Sequence, residues 1–271
     1  MATHKEAVYT HGSHESSLRS HRWRTVANSA AYLIPHLKPG LKVLDVGCGP
    51  GTITVDLANY VPGGHVTGLE YNTEILAQAR AHAAERGAAN VEFTQGDAQA
   101  LPFADGSFDI VHAHQVLQHV GDPVRALREM RRVAKPGGVV AARETDFAGF
   151  TWFPESAGMR EWAALYERVA RGNGGEPLAG RRLKAWARVA GFDPAKITCS
   201  AGTWCFSTPE ERAWWGGLWA DRTLLSDFPK GAAKQGASQE DLERIAQAWR
   251  DWLQEEDGWF AVLHGEIVCQ V

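Results

Sequence analysis

Between residues 41 and 143, short apolar runs alternate with amphipathic stretches. The runs at 42–46 (KVLDV), 65–70 (HVTGLE), 91–95, 108–113 (FDIVHA) and 139–143 have the length and β-branched content of buried strands. The intervening stretches predict helices over 52–59, 73–86 (Ala-rich, stopped at Gly87) and 123–133, where Pro123 suits the first turn. Strands alternating with helices of this length require crossover connections and so a parallel sheet covered on both faces, a doubly wound α/β core. Upstream, Val26, Ala30, Leu33, Ile34 and Leu37 fall near one face of a single predicted helix over 20–37, ended by Pro39-Gly40.

After residue 145 the rhythm changes. Helices are expected over 154–171 and 178–189, with a loop at 172–175 and a sixth strand at 196–200. Ser207-Thr208-Pro209-Glu210-Glu211 is a helix start, with a capping hydroxyl, proline near the first position and acids in the first turn. Ser238 and Asp241 have capping-box spacing before a helix reaching about residue 256, and 260–270 alternates like a final strand. Of eleven tryptophans only Trp23 precedes residue 150, so the second half is the aromatic one.

Composition narrows the class. The 271 residues are 44% hydrophobic and 22% charged, ordinary for a globular protein, and the formal charge of -4 points away from nucleic acid as a partner. No apolar run approaches the roughly 20 residues of a membrane helix, and the polar start resembles no secretory signal, so no membrane association and a cytoplasmic location are expected. Cys48, Cys199, Cys205 and Cys269 form no CxxC pair and read as reduced thiols; His4, His11 and His14 are irregularly spaced, and no metal site is expected.

The chemistry lies in Asp45-Val46-Gly47-Cys48-Gly49-Pro50-Gly51, between the first strand and first helix. Glycines there let the backbone turn sharply and approach a ligand. The spacing is GxGxG, with Thr52 where a dinucleotide fingerprint needs glycine, and no Walker Gly-Lys-Ser/Thr follows. The loop therefore suits a nucleoside better than a pyrophosphate. Glu70 ends the second strand about 20 residues on, where an acid accepts from ribose hydroxyls, and Gly96-Asp97-Ala98 follows the third.

Together, LDVGCGPG, Glu70, GDAQALPFADGSFDIV and EMRRVAKPGG resemble the small-molecule methyltransferases of ubiquinone and menaquinone biosynthesis over residues 20–145. The resemblance implies a seven-stranded Rossmann-like sheet with its last strand antiparallel, and S-adenosylmethionine as cofactor. The segment from Asp45 to Gly51, with Gly47, Cys48 and Gly49, would then cradle its methionine part. Glu70 would meet the ribose and Asp97-Ala98 the adenine, with Thr52, Tyr71, Asn72 and Gly96 as further cofactor residues. His114 and Gln115, in the segment 114–119, would skirt the methyl group. Tyr9, His21 and Arg24 are further cofactor candidates, Arg24 as partner of a carboxylate.

The expected division is a helical cap (1–40), the cofactor core (41–145), lid helices with the sixth strand (146–206), a helical insertion (207–257) and the final strand (258–271). Trp152, Phe153, Trp162, Tyr166, Trp215 and Trp219 are expected around a small acceptor, aromatic or heterocyclic in the manner of an indole or phenol; Tyr166, His114 and His119 are candidate bases if a proton must leave. The alternatives are a nicotinamide oxidoreductase, disfavoured by the glycine spacing, and a cofactor-binding protein without methyl transfer. A nucleic-acid methyltransferase is disfavoured because His114-Gln115 stands where a flipped-base motif would begin.

Overall fold

The computed structural model describes residues 15–271, so Tyr9, His4, His11 and His14 lie outside the described residues. The sheet is built from β1 (Lys42–Val46), β2 (His65–Glu70), β3 (Val91–Gln95), β4 (Phe108–His114), β5 (Ala134–Thr145), β6 (Thr151–Phe153), β7 (Ile197–Phe206) and β8 (Trp259–Gln270). The order is β3-β2-β1-β4-β5-β8, with β6 and β7 both pairing β8. The five strands from β3 to β5 are mutually parallel, and β8 runs antiparallel to β5. There are eight strands among the described residues where seven are expected; the addition is the three-residue β6. The strand at 196–200 extends to Phe206 because β8 offers it a ten-residue partner.

Alternation along the strands divides the core in two. Leu44, Val46, Val111, Ala113, Val140 and Ala142 face one side with α5 (Pro123–Val133) and α7 (Ala179–Val189). Val43, Ile110 and Ala141 face the other with α3 (Thr52–Tyr60). The central strands β1, β4 and β5 thus bury both faces, as a covered parallel sheet must. α4 (Thr73–Glu85) completes this layer, its N-terminus capped by the Asn72 side chain, which accepts from the amides of Glu74 and Ile75.

The single helix expected over 20–37 is three pieces: α1 (Glu15–Arg22), α2 (Val26–Ser29) and a 3-10 turn (Ala31–His36). Thr25 and Asn28 form a reciprocal capping box that restarts the helix, and Pro35 favours the tighter turn by lacking an N–H. The first piece packs on α8 (Pro209–Leu225), where the Arg222 guanidinium donates to the Ser16 carbonyl at 3.0 Å and to the Ser20 hydroxyl at 3.1 Å.

A third core lies among α6 (Ala157–Gly172), α8 and α10 (Gln239–Gln254), linked through α9 (Phe228–Lys234). It is aromatic: Trp162, Tyr166, Trp215, Trp219, Trp249, Trp252 and Phe260 are all buried in it. Among the described residues, no helix is long and apolar enough to cross a membrane.

Candidate functional site

The parallel order reverses between β1 and β4: the chain first winds outward to β3, then returns to the other side of β1. A crevice opens at such a point outside the carboxyl ends of the strands. Here it is a cavity of about 760 Å³, within the range of small-molecule sites.

Its floor is the loop after β1. Gly47 has φ +66°, and a Cβ there would lie 2.4 Å from Cγ2 of Val116. Gly49 has φ +54° and borders the cavity with open space around it, so the backbone itself forms the surface a ligand meets. Below, register places Asp45 opposite His112; its carboxylate receives the Thr54 hydroxyl at 2.7 Å and meets His112 Nδ1 at 2.9 Å.

At the end of β2, one Glu70 oxygen accepts from the Gly49 amide at 3.1 Å and the other from the Asn72 amide at 3.0 Å. A carboxylate oxygen has two lone-pair sites, so each keeps one for the paired hydroxyls of a ribose. After β3, Asp97 accepts from the Gln99 amide at 2.8 Å in a tight turn at the cavity wall. Loop, diol acceptor and turn fit an amino-acid-plus-nucleoside cofactor.

Beyond β4 the chain turns through Gln115, the one non-glycine with positive φ (+55°) among the described residues. Glu144, fully buried at the end of β5, holds this turn by accepting from the amides of Val116, Leu117 and Gln118 at 2.9, 2.7 and 3.2 Å. Arg24 reaches in from the N-terminal segment and donates to Gln115 Oε1 at 2.7 Å, while Gln115 Nε2 lies 3.0 Å from His264 Nε2. Burial, reinforced by the charge of Arg24, holds His21 and His114 well below the ordinary histidine range and His119 down to about 3, so all three are neutral near pH 7. Burial likewise pushes the Cys48 thiol up, leaving it a packing group rather than a nucleophile.

Burial pushes Glu144 up to about 8, outweighing the lowering by its three amide donors. From about pH 5 to about 8 the folded chain retains a proton that the unfolded chain has shed, so Glu144 makes the wild type lose stability as pH rises through this window. Glu144→Gln should remove that slope. Urea titrations at both ends of the window check it; equal slopes for the two proteins would refute the assignment.

Of the predicted cofactor residues, His21, Arg24, Asp45, Gly47, Cys48, Gly49, Thr52, Glu70, Tyr71, Asn72, Gly96, Asp97, Ala98, His114 and Gln115 all border the cavity. Gly51 supports the loop from behind, against Phe93 and Ala79. His119, Trp215 and Trp219 also border it. Trp152, Phe153, Trp162 and Tyr166 do not: Tyr166 lies under Phe147, stacked at 3.9 Å, Trp162 is enclosed by Trp219 and Trp249, and Phe153 is exposed. Sequence reasoning missed Phe147, Phe150, Trp204, Thr145 and Arg222. The first two follow β5 directly, and the rule that sites gather at the carboxyl ends of parallel strands could have found them. Arg222 gives no such signal, since within its helix it reads as one more surface charge. No three His, Cys, Asp or Glu side chains come together as a metal-ligand set among the described residues.

Comparison with known proteins agrees with this geometry. Residues 37–193 match the family model of a methyltransferase domain. An uncharacterized methyltransferase of Schizosaccharomyces pombe is 38% identical, over 97% of this chain and 96% of its own. The probable methyltransferase ltbC of Aspergillus luteorubrus is 32% identical over 96% of each chain. The crystal structure of a putative methyltransferase from Bacillus halodurans shares the fold, with a TM-score of 0.58 at 19% identity over 89% of this chain and 97% of that one. With the glycine loop, Glu70 and Asp97 arranged as described, the chain belongs to the S-adenosylmethionine-dependent methyltransferases.

Proposed function

We propose that the methyl group goes to a small, flat, aromatic or heterocyclic acceptor, indole- or phenol-like, at carbon, nitrogen or oxygen. One observation carries this: Phe147, Phe150, Trp204, Trp215 and Trp219 border the same cavity as the glycine loop. Bound S-adenosylmethionine supplies a methyl carried on a positively charged sulfur. The aromatic wall excludes water and holds a planar acceptor by stacking and edge contacts. The Gln115 turn, fixed by Glu144, limits the approach of the acceptor to the methyl, so that alignment rather than a covalent intermediate supplies the rate. Residues 41–145 accordingly serve the cofactor, and the segments at 146–206 and 207–257 serve the acceptor.

Thermal unfolding tests the cofactor half of this assignment. S-adenosylhomocysteine at 100 times its Kd should stabilise the protein by about 2.7 kcal/mol, several degrees in Tm, whereas NAD should leave Tm unchanged. Transfer of labelled methyl to a panel of flat aromatics tests the acceptor half, and transfer only to aliphatic amines or alcohols would defeat it.

A further inference from the structure

The hydrogens at the methyl-transfer end can be placed. Arg24 Nη1 lies 3.5 Å from His114 Nδ1. A guanidinium has only donors, so Nδ1 is the acceptor, and a neutral imidazole then carries its hydrogen on Nε2. His114 is 4% exposed and borders the cavity, and its buried Nε2 has no partner among the described residues. His119 follows the same logic: the Thr145 hydroxyl donates to Gln118 Oε1, and the Gln118 amide donates to His119 Nε2 at 2.9 Å, leaving the ring hydrogen on Nδ1. Trp215 borders the cavity with its indole N–H buried and without a partner among the described residues, and an indole nitrogen can only donate. Tyr166 does not border the cavity. Each candidate base is thus either turned the wrong way or away from the site. The groups whose charge bears most on His114 are Arg24 from the N-terminal segment, Arg143 on β5, His264 on β8 and His112 on its own strand. The carboxylates behind them are engaged, Asp45 with His112, Glu266 with Arg143 and Glu144 with the amides of Val116, Leu117 and Gln118.

We propose that the acceptor binds as an oxyanion, a phenolate, with its oxygen received by the N–H of His114. This rests on the aromatic-acceptor reading. The phenolic proton leaves to solvent as the acceptor binds. A phenolate lone pair then forms the oxygen–methyl bond, the methyl–sulfur bond breaks with its pair on sulfur, and anion and sulfonium cancel to two neutral products. No protein group takes up a proton in the step.

The test uses the full chain saturated with S-adenosylhomocysteine, with 4-nitrophenol and its methyl ether, 4-nitroanisole, as probes. Below the pH at which free 4-nitrophenol ionises, the bound phenol should show the visible absorbance of the phenolate. Calorimetry in two buffers of different ionisation enthalpy should show about one proton released per molecule bound, as linkage requires of an acid bound in its ionised form. The phenolate should bind roughly tenfold or more tighter than the ether, the usual worth of a hydrogen bond to a charged group. His114→Phe should erase that preference, and His114→Gln, which keeps an N–H at the same reach, should restore most of it. Far-ultraviolet circular dichroism and the Tm of each variant report whether it is folded.

Equal affinity for phenol and ether, or an ionised phenol with no proton released, overturns the proposal, because the second result would make a protein group the base. Preference retained in His114→Phe overturns the role of His114. Failure of both rings to bind defeats the aromatic-acceptor reading, and the proposal with it.

Discussion

Gly47→Val is expected to weaken S-adenosylhomocysteine binding by about two to three orders of magnitude. Any L side chain at φ +66° costs about 1–2 kcal/mol, more when β-branched. The new Cβ would also stand 2.4 Å from Cγ2 of Val116, an overlap whose relief costs about 1–3 kcal/mol. Val116 begins the turn whose amides Glu144 holds, so yielding there moves the wall beside the methyl. Isothermal calorimetry checks the affinity. The double variant Gly47→Ala, Val116→Ala separates the two costs: it relieves the overlap, leaves the backbone strain, and should recover part of the loss. Gly47→Val binding within about threefold of wild type would mean that the loop does not form the cofactor floor.

The second large effect falls on stability. Trp162 is wholly buried, edge-on to Trp219 at 4.7 Å and to Trp249 at 4.8 Å. Trp162→Ala should cost about 3–5 kcal/mol, because the surrounding rings are locked to one another and cannot close the void. In a chain of this size each kcal/mol moves Tm by about 2–4 °C, so a fall of roughly 10 °C is expected. The indole N–H has no partner among the described residues, so Trp162→Phe sacrifices volume but no hydrogen bond and should cost far less. Differential scanning calorimetry of the three proteins decides this. An alanine variant within about 1 kcal/mol of wild type would mean that the aromatic cluster is not a cooperative core.

Trp162 also shows why the aromatic half was the harder part to read. Its composition announces burial, and in a helix with Tyr166 four residues on it announces one buried face. Nothing in the spacing says whether that face meets a ligand or other rings. In the fold Trp215 and Trp219 reach the cavity while Trp162 and Tyr166 back them up, a difference set by how α6, α8 and α10 rotate against each other.

What the chain fixed by itself is the cofactor side. The run 42–46, the glycines after it and the helix from Thr52 are contiguous, so a strand, a sharp turn and a helix put the loop at a carboxyl end whatever surrounds them. Glu70 and Asp97 arrive by the same local rule, each just past a strand. Tertiary structure alone decided the rest. It set β8 between β5 and β7, carried Arg24 to Gln115, and brought Glu144 under the turn at 116–118. These contacts join residues far apart in the chain, through hydrogen bonds that any polar side chain could make elsewhere, so only the closed fold selects them.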